Sequence, residues 1–120
     1  MSLVDTRDLS SVINRHELMT RCLNNIDFAE RMLRLFQDQF TEELTVLEVA
    51  YNNKNMESVA KIAHRLQGAC ANAAAFGLQE RAANLRNAIK EGTSDQAEQC
   101  LADLQQEWKR FSSVMSVDKP

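Results

Sequence analysis

From Phe28 to Tyr51 the apolar side chains recur at intervals of three and four: Phe28, Met32, Leu35/Phe36, Phe40, Leu44, Leu47 and Tyr51. That spacing follows the 3.6-residue repeat of an α-helix, not the two-residue alternation of a half-buried strand. Held over about seven turns, it describes a rod of roughly 37 Å with one apolar stripe. Such a stripe must be covered by other helices of comparable length, so this stretch alone points to a bundle.

The rest of the chain supplies the partners. Asn55 is placed to cap a helix from Met56 to about Ala75, whose apolar stripe is Val59, Ala63, Leu66, Cys70 and Ala73. A tight turn at Phe76-Gly77 leads to a helix from Leu78 to Glu91 with Leu78, Ala82, Leu85 and Ile89 inward, ended by Gly92. Thr93 and Gln96 form a T-x-x-Q capping box. It opens a last helix with Ala97, Cys100/Leu101, Leu104, Trp108, Phe111 and Met115 on its apolar side. Before the long helix, which Asp27 is placed to cap, a short one runs from about Asn14 to Leu23. Asp8 could cap a turn through Val12. Three glycines and a single proline at position 120 leave the interior free of breakers. The expected architecture is all-α: an antiparallel up-down-up-down four-helix bundle with a short N-terminal cap helix, one domain over residues 1–120, with 1–7 and 116–120 loosely ordered.

A net charge of −3 gives no strong attraction to nucleic acid or to anionic membranes, and no apolar run is long enough to span a bilayer. Cys22, Cys70 and Cys100 have no metal or disulfide spacing, and no signal-peptide pattern opens the chain. A reducing, cytoplasmic setting and a monomer are expected.

One histidine stands out by position. At about 100° per residue, the apolar stripe of its helix is centred roughly 140° away from His64, which therefore points to water. Glu57, Ala60, Lys61, Gln67, Gly68, Ala71 and Ala75 share its face, a platform of mostly small residues. Gly68 is the odd member, because an exposed mid-helix glycine costs about 1 kcal/mol relative to alanine. His16 has no such surroundings and is expected to be merely solvated. Metal chemistry is disfavoured: neither histidine lies in a Glu-x-x-His pair, since Lys61 and Ile13 occupy the positions three before. No phosphate-binding glycine loop and no motif pairing a Ser or Cys with a histidine is present.

The run His64-Arg65-Leu66-Gln67-Gly68, with Ala74-Ala75 and Leu78 after it, resembles the histidine-containing phosphotransfer (HPt) domain family. That family's pattern is close to H-x-L-K-G-x-x-x-x-x-G-A-x-x-L. Helix order and length along the whole chain are similar to its four-helix bundle with a short N-terminal cap. The resemblance implies that His64 accepts a phosphoryl group, through Nε2, from the phospho-aspartate of a receiver domain and passes it to another receiver aspartate. Partners would be receiver domains of response regulators or of a hybrid sensor histidine kinase. The Mg²⁺ ion would sit on the receiver, with no cofactor and no autonomous kinase activity here. Ala60, Gly68 and Ala71 would keep the approach clear, and the first helix with the outer face of the second near Gln39 and Glu43 would add docking surface. Two positions depart from the pattern. Gln67 stands where the family has lysine, and an amide donates a hydrogen bond without the strengthening of a full charge. Lys61 and Arg65 are expected to restore some positive potential. Ala74 stands for the second glycine, a change expected to be mild within a helix. A degenerate, non-transferring adaptor bundle that binds a receiver-like partner is the alternative reading.

Overall fold

The computed structural model describes residues 11–116, and among them every regular element is a helix. The expectations for residues 1–7, for Asp8 and for 117–120 lie outside the described residues, while Ser116 closes the last helix. In chain order the elements are α1 (Arg15–Arg21), α2 (Ile26–Asn52), α3 (Met56–Asn72), α4 (Phe76–Glu91) and α5 (Ser94–Ser116).

Helix starts follow local side-chain chemistry. Asn14, Asn25 and Asn55 each place Oδ1 on a backbone N–H three residues ahead, at 3.0, 3.0 and 3.2 Å. Each thereby satisfies one of the donors that a helix start leaves unpaired. The cap of α2 is thus Asn25, not Asp27. Asp27 lies in the first turn, where its charge favours the helix dipole. At α5 the capping box forms in both directions: Thr93 Oγ1 accepts from Gln96 N–H at 3.1 Å, and Gln96 Oε1 accepts from Thr93 N–H at 3.0 Å.

Helix ends are less orthodox. Past α2, Lys54 has φ 60°, Lys54 N–H donates to Tyr51 O, and Asn55 N–H donates to Ala50 O. Past α3 the pattern repeats: Ala74 has φ 57°, its N–H donates to Ala71 O, and Ala75 N–H donates to Cys70 O. These are Schellman closures with a left-handed residue where glycine is the usual occupant. The expectation for Ala74 therefore needs correction. It does not lie within a helix, and a Cβ at positive φ is strained where the family's glycine would not be. The same closure ends α3 at Asn72, puts the turn at 73–75, and lets α4 begin at Phe76, two residues before the expected start. Ala75 is fully buried and leaves the histidine's face.

The core is continuous. On α2 the stripe holds through Phe36, Phe40, Leu44 and Leu47, but at its N-terminal end Ala29 and Leu33 are the buried residues. Phe28 and Leu35 remain 45% and 69% exposed. Side-chain size suggested the wrong phase there, since burial depends on the facing element. Phe36, Phe40, Trp108 and Phe111 form one aromatic cluster joining α2 to α5, with Trp108 stacked on Phe40 at 4.2 Å between ring centres. Burial of Phe36, Phe40 and Phe111 adds about 1.5–3 kcal/mol each. The start of α2 lies by the end of α3, because Phe28, Met32, Asn72 and Ala73 line one groove. The N–H of Asn14 donates to Ala74 O at 2.8 Å, fastening the residue before α1 to the α3–α4 turn. Cys70 sits deep in this core, where burial pushes its thiol far above the ordinary range, so it stays a packing residue.

Candidate functional site

His64 is exposed on α3, as its azimuth requires, while its neighbours Ala63 and Leu66 are buried. It lies in a groove between α3 and α4. Ala60, Lys61, His64 and Arg65 form one wall, and Arg86, Ile89 and Lys90 form the other. Gln67, Gly68 and Ala71 lie beyond this groove along α3.

The two cations expected to serve His64 are already engaged. Arg65 makes a two-point contact with Glu43 of α2, Nε to Oε2 at 2.8 Å and Nη2 to Oε1 at 3.2 Å. The hydrogen bond and charge of Glu43 raise the Arg65 pKa still further. Glu43 is thereby held as well, so of the two α2 residues expected on the docking face only Gln39 remains open, lining a second groove. Lys61 pairs with Glu57 one turn back at 3.4 Å, both side chains being well exposed. An exposed pair of this kind is worth a few tenths of a kcal/mol and exchanges readily.

Gln67 is half-buried, and its Oε1 is shielded from solvent without a hydrogen-bond donor. Ala71 is also half-buried, and its carbonyl accepts from the Arg21 guanidinium of α1, which in turn stands over the Phe76 ring. Gly68 is exposed with ordinary helical φ, and a Cβ built there would meet nothing within 4 Å. Neither packing nor backbone conformation demands a glycine at 68. A bare patch of helix beside His64 is its one structural result.

Sequence reasoning did not find Arg86 and Lys90. A signal existed, because like charges at i and i+4 on a helix weaken it and call for a reason. Nor did it find the second groove, where exposed Phe28 and Leu35 join Met32 and Gln39 of α2 and face Ala69 and Asn72 of α3. Among the described residues, no group of three or more His, Cys, Asp or Glu is placed to hold a metal ion. No described helix is long and apolar enough to cross a membrane.

No curated protein matches the chain. The sequence model of a family does, the Hpt domain, over residues 31–114, which takes in α3, α4, most of α2 and nearly all of α5. Members of that family carry phosphoryl groups on histidine in two-component phosphorelays, work with receiver domains, and are carriers rather than kinases. With a helical bundle, an exposed histidine at its motif position and a match across most of its length, the chain belongs to the Hpt domain family.

Proposed function

We propose that this protein is a phosphorelay intermediate in which His64 accepts a phosphoryl group from one receiver phospho-aspartate and passes it to another. The observation that carries this reading is the exposed imidazole beside bare Gly68 on a rigid helix. In-line transfer between two side chains on different proteins needs close approach and little else from the carrier. The lone pair of Nε2 attacks phosphorus, the bond from phosphorus to the aspartate oxygen breaks, and the aspartate leaves as a carboxylate. Mg²⁺ on the receiver offsets charge on the donor side. The groove with Phe28, Leu35 and Gln39 gives an apolar surface on the neighbouring flank of α3 against which a receiver can rest. A cytoplasmic monomer fits this role.

Incubation with a phosphorylated receiver domain and Mg²⁺ should label the protein with an acid-labile, base-stable phosphate, and His64→Gln should abolish it. A wild type that binds several receivers and is never labelled would overturn the relay. The second reading, a non-transferring adaptor, is favoured by one observation: the neutral Gln67 with its shielded, unpartnered Oε1. If Gln67→Lys restores transfer to an otherwise silent protein, the adaptor reading holds.

A further inference from the structure

Resting on the reading that His64 carries a phosphoryl group, we propose that Arg86 and Lys90 of α4 hold that group's negative charge, in the role the family pattern gives to a lysine at position 67. The cations around His64 differ in what each already does. Arg65 is clamped to Glu43 through two hydrogen bonds, and Lys61 shares a weak, exposed pair with Glu57, whose carboxylate lines the same groove and offsets the Lys61 charge there. Gln67 has no charge, so its amide offers at most a neutral hydrogen bond to a phosphoryl oxygen. Arg86 and Lys90 line the groove of His64 from its opposite wall, and among the described residues neither is paired with a carboxylate.

Their spacing adds to the case. One turn apart on α4, they set like charges against each other, which disfavours the helix in the free protein. A dianion between them reverses the sign of that interaction. Phosphoryl transfer passes through a state whose negative charge is spread over three equatorial oxygens. A planar guanidinium can meet two of these oxygens side by side, and an ammonium serves as a point charge for the third. Arg86 is half-buried, which limits its freedom and its solvent screening, whereas Lys90 is exposed and can swing to the group as it arrives. Both act from the α4 side and leave the face over Gly68 open for the partner.

Phosphoramidate tests the assignment without a partner protein. Nε2 of His64 attacks its phosphorus, the phosphorus–nitrogen bond of the donor breaks, and ammonia leaves. The rates of phosphohistidine formation and hydrolysis, followed by ³¹P NMR, are compared for wild type, Arg86→Gln, Lys90→Gln, the double variant and Arg86→Lys. Formation should slow about fivefold to tenfold for each neutral variant, as expected for losing a charge-assisted contact. Arg86→Lys should recover most of the rate. The difference should shrink in about 0.5 M salt, where screening acts within roughly 4 Å. Thermal melting should hold or rise slightly, since neither side chain makes an ion pair and each neutral variant removes a like-charge neighbour. A double variant labelled at the wild-type rate would overturn the assignment, as would a slowing that ignores salt. The two readings separate cleanly. A wild type labelled by phosphoramidate with this charge dependence, yet exchanging with no receiver, ends the relay and leaves the anion site. Normal exchange with receivers and a double variant labelled at the wild-type rate does the reverse, and a wild type that takes up no phosphoryl group ends both.

Discussion

Arg81 and Arg86 belong to the same helix, but their charges are used in different ways. Arg81 faces α5, where Glu107 is only 7% exposed and is held between Arg81 at 3.9 Å and Arg110 at 3.2 Å. Arg110 also reaches the carbonyl of Ser11, and Arg81 the carbonyl of Gly77 at 3.0 Å. Gly77 leaves the space, since a Cβ there would come within 3.2 Å of Glu107 Oε2. Each charge in this cluster has partners inside the molecule, so the cluster ties α4, α5 and the approach to α1 together. In the groove of His64, Arg86 and Lys90 make no ion pair among the described residues, the one carboxylate lining it, Glu57, being taken by Lys61; just beyond it, a Cβ at Gly68 would meet nothing within 4 Å. Charges that close on themselves hold a fold, whereas charges left open beside a nucleophile are available to something that arrives.

Either region can be disrupted on its own. The largest effect should come from Gly68→Gln, which places a long side chain in open space beside His64. Transfer from a phosphorylated receiver should slow about a hundredfold through lost approach, with the melting temperature unchanged or raised, because glycine is the poorer helix former. Equal transfer rates would remove the reason offered for the glycine. Next, Glu107→Gln should lower stability by about 1–2 kcal/mol in urea titration. That is less than for a fully buried pair, because both arginines are partly solvated. Transfer should stay within twofold of wild type, and a marked loss of transfer would mean that the two regions are not independent. The smallest effect belongs to Lys61→Gln. Its exposed one-turn pair with Glu57 predicts a stability change below about 0.5 kcal/mol and a fall in transfer rate smaller than that of Arg86→Gln. A larger fall would move the charge-holding role from α4 to α3.

What the sequence disclosed and what it concealed divide along the same line. The caps at Asn55 and Thr93, the box closed by Gln96 and the outward azimuth of His64 depend on residues within one turn of each other, and all were legible. The core stripe of α2 was read correctly from Phe36 to Leu47 and out of phase before it, where Ala29 rather than Phe28 is buried. Contacts between helices were not legible. Glu43 and Arg65 are 22 positions apart, and nothing near either residue announces their pairing. Arg86 and Lys90 become part of the site only when α4 folds back along α3. Ala74 shows the limit differently, because alanine is the best helix former and gave no hint that its φ would be positive.

That alanine also fixes how α4 is aimed. Only residues 73–75 separate α3 from α4, and two backbone hydrogen bonds close the turn. The link therefore behaves as a gauge block, a spacer whose length sets the register of α4 against α3. One residue added to the first turn of α4 would rotate everything after it by about 100°. Arg86 and Lys90 would leave the groove and Arg81 would lose Glu107 in the same step. Ala74→Gly, which relieves the positive φ, should be far better tolerated than any change in the number of residues 73–75.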